Sequence, residues 1–199
     1  SGYGNCKLGV SVGAVENFRP QEFDTSDDPG QMAAFSSRGP TSYNAIKPDV
    51  VEIGTAVFST KSDDATEAAA PGLYDTQNPI NNDPDATFDY ISLQGTSMAC
   101  PAAAGDAILI RDYLVDVKAI AAPSANLIKT LLIHGAEDMG LGYPSMDQGW
   151  GRVNVRNSVC PPFPNVIQWY QNDAGIAAGT WNAATNGGMT TNIIDNTVP

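Results

Sequence analysis

The segment from residue 98 to about residue 115 constrains the fold more than any other part of the chain. Apolar residues occupy nearly every face of the helix predicted there. A helix that is apolar all round has to be covered on most sides, so it belongs inside a layered domain. Within it, Gly105 predicts the close approach of another backbone, and Cys100 is predicted to be a small buried hydrophobe.

Short β-prone runs precede this helix. Residues 10–15 form an apolar, valine-rich run that is typical of a buried strand, and residues 56–60 have a similar composition. Residues 88–93 alternate between apolar and polar side chains, which predicts a half-buried strand that ends just before Gly95.

A second helix is predicted to follow the first. Ser124 is a suitable N-cap, because its hydroxyl can accept a hydrogen bond from a free amide in the first turn. The helix ends near Gly135. Its apolar residues are spaced i, i+1, i+4 and i+5, which places them on one buried face: Leu127, Ile128, Leu131 and Leu132.

The composition changes along the chain in two places. Residues 61–85 show little periodicity, and so long a loop indicates a functional or family-specific insertion. Beyond Asn157 the chain becomes rich in Pro, Asn, Gly and Thr. We therefore predict one domain over residues 1–157, and a linker or the start of a following β domain over 158–199. Because the chain opens at Ser1 and runs at once into a core strand, we expect it to begin within a domain.

The charge excludes several partners. The chain carries 10 basic and 22 acidic residues, and its formal charge of -12 would repel nucleic acids and anionic membranes. No apolar stretch approaches the roughly 18 residues that cross a bilayer. Acidic loops at 24–30 and 81–85 have oxygen ligands suited to calcium, but neither has the spacing of a known calcium loop, so solvated turns are predicted. Cys6 and Cys160 remain as the two cysteines available for pairing.

Ser97 is the candidate catalytic residue. It lies between the predicted strand and the first turn of the apolar helix, where free amides and the helix dipole would stabilise an oxyanion. Pro101 is expected within the first turn, where proline removes no hydrogen bond. The alternative is that Thr96 or Ser97 is only the N-cap of the helix.

Four segments, in order, carry a family resemblance. The sequence Gly-Thr-Ser-Met-Ala-Cys-Pro at 95–101 resembles the nucleophile motif of subtilisin-like serine proteases, the subtilases of peptidase family S8. The other three are Ser-Val-Gly-Ala at 11–14, Phe-Ser-Ser-Arg-Gly-Pro at 35–40 with Lys-Pro-Asp-Val at 47–50, and Asp-Gln-Gly-Trp-Gly-Arg-Val-Asn at 147–154. The resemblance covers about residues 9–157, and it is closest to the branch in which a β-sandwich follows the protease domain.

This resemblance implies a fold. The class is α/β, the C-terminal part of a mostly parallel sheet with helices on both faces. A partial sheet exposes an edge and leaves the helix after Ser97 partly uncovered. We therefore expect the isolated chain to aggregate, or to fold only with the missing N-terminal half of the domain.

The resemblance also implies a function and its residues. Ser97 would be the nucleophile of a secreted or extracellular endopeptidase acting on peptides or proteins through an acyl-enzyme. In this family the catalytic Asp and His precede the Ser, so they would lie upstream of this chain, which is expected to be nearly inert by itself. His134 follows Ser97 and is predicted to interact with a helix dipole. Asn5 lies too near the strand at 11–14 to be the oxyanion-hole asparagine.

Two departures from the family pattern accompany these implications. Glu-Ile-Gly at 52–54 replaces the usual Ala-Pro-Gly, and Ala-Ala at 102–103 replaces His-Val. The chemistry requires no cofactor, structural calcium remains open, and no metal ligand is assigned. Two other function classes remain: a catalytically inactive subtilase-like peptide-binding or structural module, and an unrelated acidic calcium-binding domain.

Overall fold

The computed structural model describes residues 3–20, 26–60 and 90–161. The loop predicted over 61–85 lies outside these ranges, as does the tail from residue 162. None of the helices within the described ranges is both long and apolar enough to cross a membrane. The elements are β1 (Val12–Val15), β2 (Val50–Ile53), β3 (Val57–Thr60), β4 (Tyr90–Leu93), α1 (Thr96–Asp112), α2 (Ala125–Gly135) and α3 (Val155–Val159).

β1 and β2 form a parallel pair at the centre of the described fold. The register joins residues 12–15 to residues 50–53 one by one. On the other side of β2, the Val51 amide donates to the Gly151 carbonyl at 2.9 Å and the Val153 amide donates to the Val51 carbonyl at 3.1 Å. Residues 151–153 therefore extend the sheet. The strand predicted over residues 10–15 is found over residues 12–15. The fully buried side chains of the parallel pair are Ala14 and Val15 in β1, and Val50 and Val51 in β2.

β3 and β4 form an antiparallel pair next to the helix that follows. Val57 lies opposite Leu93, and Thr60 lies opposite Tyr90. Both strands agree with the sequence prediction over the described residues. β4 ends at Leu93, only three residues before the first residue of α1, so the strand leads directly to the helix N-terminus.

α1 packs on the parallel pair with one side only. Ala99 contacts the small side chains of Ala14 and Ala33, while Ile110 packs with the leucines of α2. The chain then continues through a π-helical segment, Tyr113–Val117, which buries Leu114. This side of the helix forms most of the core.

The opposite side of α1 differs from the prediction. Ile108 is 64% exposed and Leu109 is 56% exposed. No described atom lies within 4 Å of a Cβ built on Gly105, and Cys100 is exposed. The predicted burial on all sides, the close backbone at Gly105 and the buried Cys100 are therefore wrong for the described part of the chain. The physical reason is that no described element packs against this side of the helix.

α2 matches its prediction closely. The Ser124 hydroxyl accepts a hydrogen bond from the Leu127 amide at 3.2 Å, so the serine is the N-cap. The helix ends at Gly135, as expected. Leu127, Leu131 and Leu132 are buried, and Ile128 is partly buried against the same cluster.

The cysteines are all unpaired. Cys6, Cys100 and Cys160 are exposed free thiols, so a bond between Cys6 and Cys160 is not formed. Instead, the Cys6 sulfur accepts a hydrogen bond from the Gly9 amide at 3.4 Å. Backbone hydrogen bonds from Gly9 and Leu8 lower the pKa of Cys6, since they favour the thiolate.

A cluster of charges around Asp49 holds the start of β2. The Asp49 carboxylate accepts hydrogen bonds from the Lys47 ammonium at 2.6 Å and the Ser11 amide at 2.7 Å, and it pairs with Lys129 at 3.2 Å. Lys129 also donates to the Gly9 carbonyl at 2.7 Å. We call Ser11, Lys47, Asp49 and Lys129 the Asp49 cluster. Burial opposes ionisation of Asp49, but the Lys47 and Ser11 hydrogen bonds and the charge of Lys129 outweigh it and lower its pKa.

Removing this carboxylate is expected to be costly. Asp49→Ala should reduce the free energy of unfolding by about 3–5 kcal/mol, because two ammonium groups with little solvent exposure lose their counter-ion. The matched control is Asp147→Ala. Asp147 pairs with Arg38 at 2.9 Å, but both side chains are nearly half exposed, so we expect a loss of at most about 1 kcal/mol. Equal losses of the free energy of unfolding for the two variants, measured with urea, would contradict a stabilising role of the Asp49 cluster.

The same cluster predicts a pH dependence. Because the pKa of Asp49 is lower in the folded state, its contribution is complete above the ordinary value of about 3.9 and is lost as the pH falls below it. The difference in the free energy of unfolding between the wild type and Asp49→Ala should therefore decrease as the pH falls below about 3.9.

Candidate active site

A glycine turn connects β4 to α1. Gly95 is the N-cap of α1 and has a φ of 152°, within the positive range that favours glycine. Its amide donates to the Gly54 carbonyl at 2.7 Å, and its carbonyl accepts from the Met98 amide at 3.0 Å. The amides of Thr96 and Ser97 have no backbone acceptor among the described residues, as the geometry of a helix N-terminus requires.

Ser97 is the second residue of α1, and its side chain is exposed. No hydrogen bond joins its hydroxyl to any residue in the ranges that the structure describes. The predicted position between a strand and the first turn of the apolar helix is therefore found. The alternative role as an N-cap is not, because Gly95 occupies that position. A free hydroxyl beside free amides is the arrangement that a nucleophile with an oxyanion site needs.

Pro101 lies deeper in the helix than predicted. α1 begins at Thr96, so Pro101 is inside the helix and beyond the first turn. A proline there has no amide to donate to the carbonyl four residues earlier, which is that of Ser97. The expectation that Pro101 removes no hydrogen bond is wrong, because the helix starts earlier than the sequence pattern indicated.

His134 and Asn5 belong to other elements than α1, which carries Ser97. His134 is in the last turn of α2, as predicted, and burial lowers its pKa. Its neutral form is therefore favoured, and this weakens the expected attraction between a charged imidazole and the helix dipole. Asn5 belongs to a short 3-10 turn and lines a cavity of about 540 Å³ with Arg38 and Lys47.

No metal site is evident in the described ranges. There, no three or more His, Cys, Asp or Glu side chains lie close enough together to hold an ion. In the first acidic loop, Asp28 accepts hydrogen bonds from the Gly30 amide at 2.8 Å and the Gln31 side chain at 3.2 Å, which is typical of a turn. The second acidic loop, at 81–85, lies outside the described residues.

Two carboxyl groups interact between β2 and α1. Burial raises the pKa of Glu52, and the charge of Asp106 raises it further, against the opposing effects of the Ile53 amide and Arg152. Burial also raises the pKa of Asp106. Sequence reasoning identified Glu52 as a departure from the family but missed Asp106. The available signal was an aspartate within an otherwise apolar helix.

Neutralising Glu52 is expected to stabilise the protein modestly at pH 7. Glu52→Gln keeps an oxygen that can accept from the Ile53 amide, now at 2.9 Å, and removes a desolvated charge. The pKa of Glu52 is raised in the folded state. Its ionisation therefore lowers the free energy of unfolding as the pH rises through this raised pKa. The two melting temperatures should converge below about pH 4. Asp112→Asn, at an exposed position of α1, is the control and should leave the Tm unchanged at both pH values.

Comparison with known proteins extends these observations. The subtilase family model of peptidase S8 matches residues 4–151. The chain is 31% identical over 150 residues to the serine protease AprX of Bacillus subtilis, an alignment that covers 75% of this chain and 29% of AprX. It is 33% identical over 132 residues to the minor extracellular protease Vpr of the same organism, which covers 65% of this chain and 14% of Vpr. The chain therefore spans less than a third of either relative.

The fold has a counterpart among solved structures. The CspB protease of Clostridium perfringens superimposes with a TM-score of 0.51 and 26% sequence identity, over 75% of this chain and 25% of CspB. The α/β fold class expected from the resemblance is confirmed. So is the resemblance itself, since the family match includes the segment around Ser97.

Proposed function

Because this chain belongs to the subtilase family, we propose that it is part of a serine endopeptidase whose nucleophile is Ser97. The observation that carries the proposal is the exposed Ser97 hydroxyl, which has no hydrogen-bond partner among the described residues. An ordinary serine near a helix start would cap the helix, but here Gly95 has that position.

The proposed chemistry is acyl transfer. The Ser97 oxygen would attack the carbonyl carbon of a peptide bond while an imidazole takes its proton. The carbon–nitrogen bond then breaks, the amine leaves with that proton, and an ester remains on Ser97. Water hydrolyses the ester and restores the hydroxyl. Charge on the carbonyl oxygen would be stabilised by donors at the mouth of α1, where the free amides of Thr96 and Ser97 lie.

We propose that the base and its carboxylate partner come from an N-terminal half of the same domain. In subtilisin the order along the chain is Asp, His, Ser, and the single histidine of this sequence follows Ser97. The exposed apolar side of α1, with Ile108 and Leu109, supports such a partner, because a large apolar patch on a folded domain usually faces another surface.

The remaining expectations follow from the same proposal. The substrate would be a peptide or protein, and the reaction needs no cofactor. We propose that the protein acts outside the cell, which agrees with the name of its relative, the minor extracellular protease Vpr. Structural calcium stays a proposal for the acidic loops.

A fluorophosphonate probe tests the nucleophile directly. The protein containing both the upstream segment and this chain is treated with the probe, digested and analysed by mass spectrometry. We expect one stoichiometric adduct on the peptide that contains Ser97. Folded protein without an adduct would overturn the proposal and leave the inactive subtilase-like module as the explanation.

A further inference from the structure

One buried glycine connects the central sheet to the N-terminus of α1. Gly54 is the first residue after β2, and its amide donates to the Val15 carbonyl of β1 at 2.9 Å. Its carbonyl accepts the Gly95 amide at 2.7 Å. The two bonds of this single residue therefore fix the distance between the parallel pair and the turn that precedes Ser97.

The space around Gly54 admits no side chain. A Cβ built there would lie 2.9 Å from the Gly95 carbonyl oxygen and 2.5 Å from the Ala14 Cβ. Both distances are below the closest approach that real Cβ atoms make, and the Gly95 oxygen is a backbone atom that cannot rotate away. Any side chain at this position would push the glycine turn away from the sheet.

We propose that Gly54 is a positioning residue for the nucleophile, an inference that rests on the proposed function of Ser97. Its carbonyl and its lack of a side chain hold Gly95 against the sheet, and the amides of Thr96 and Ser97 follow Gly95 directly. A displacement of about 1 Å in a reacting group can cost about 10²-fold in rate, so a small shift of this turn would slow acylation.

A positioning role of Gly54 can be distinguished from a purely structural one, because its two close contacts, with Ala14 and with Gly95, have different consequences. The contact with Ala14 belongs to the packing of β1 against β2 and affects stability. The contact with Gly95 belongs to the turn before Ser97 and affects acylation. Removing the Ala14 methyl group therefore relieves the first contact and leaves the second.

The test compares four variants of the full protein by Tm, by kcat and KM, and by the probe-labelling rate of folded molecules. Gly54→Ala should lower the Tm and reduce kcat and the labelling rate at least tenfold. The double variant Ala14→Gly with Gly54→Ala should regain much of the Tm but stay at least tenfold slow, with KM changed less than kcat. Ala14→Gly alone should retain wild-type kcat.

Gly13→Ala is the matched control for a crowded sheet. Its Cβ would meet Pro48 at 2.9 Å, Val51 at 3.0 Å and Ser36 at 3.1 Å, and these three nearest contacts all lie outside the glycine turn. It should lower the Tm while folded molecules keep the wild-type labelling rate. Recovery of both Tm and kcat in the double variant would overturn the positioning role. Failure of the wild type to be labelled would instead reject the proposed function of Ser97.

A second arm covers the case in which the Gly54 variants do not fold. Semisynthesis can replace Gly95 with glycolic acid, which exchanges its N–H for an ester oxygen and adds no atom. The hydrogen bond to the Gly54 carbonyl is lost, and the labelling rate should fall at least tenfold. An unchanged rate in this folded protein would overturn the inference.

Discussion

Replacing Ser97 with alanine is expected, under the proposed function, to lower the kcat of the complete protein by about 10⁶-fold, the magnitude that applies to the nucleophile of subtilisin. The loss is large because alanine can form no acyl-enzyme, whereas the binding of substrate should change little. The Tm should stay close to that of the wild type, since the hydroxyl is exposed and makes no hydrogen bond within the described residues. Steady-state kinetics on a peptide substrate, with thermal unfolding in parallel, measure both.

The matched control is another exposed serine. Ser37→Ala removes a hydroxyl from a loop rather than from a helix mouth, and it should leave kcat within a factor of about two. Residual turnover by Ser97→Ala above about a hundredth of the wild-type rate would mean that a different group forms the covalent intermediate.

Gly149→Ala is expected to abolish folding, or to reduce the free energy of unfolding by more than about 4 kcal/mol. Gly149 is buried with a φ of 61°, where a side chain is strained, and a Cβ there would overlap the carbonyl oxygen of Pro48. The carbonyl of Asp49 would be 2.6 Å away. Both oxygens belong to the backbone that enters β2, so relief would require movement of the central sheet.

Gly140→Ala separates backbone strain from overlap. Gly140 also has a positive φ, of 83°, but no atom of the described residues lies within 4 Å of its Cβ position. We expect a loss of about 1–2 kcal/mol from conformation alone. Urea unfolding of both variants gives the difference, and similar losses would show that overlap at Gly149 is relieved by local adjustment.

The sequence predicted local elements well because local signals determine them. The valine-rich run became β1, Ser124 became the N-cap of α2, and Ser97 was placed at a helix mouth. The sequence leaves the start of α1 ambiguous, because Thr96 and Ser97 are also good capping residues. That ambiguity led to the error about Pro101.

Contacts between distant residues could not be predicted in the same way. The apolar pattern of α1 shows which side chains prefer burial but not which elements cover them, so the exposure of Ile108 was missed. The interaction of Glu52 with Asp106 and the hydrogen bond between Gly54 and Gly95 each depend on how β2 meets α1. The spacing of residues along the chain does not determine how β2 packs against α1.

The Asp49 cluster has a consequence for the kinetics of folding. Lys129 contacts the carbonyl of Gly9, 120 residues earlier in the chain, while its ammonium also pairs with Asp49. Closing so long a segment is entropically unfavourable, so these bonds should form after most of the core has assembled. Interactions that form late leave the folding rate nearly unchanged and slow unfolding. The cluster would therefore lengthen the lifetime of the native state and reduce how often the unfolded chain is exposed to proteolysis.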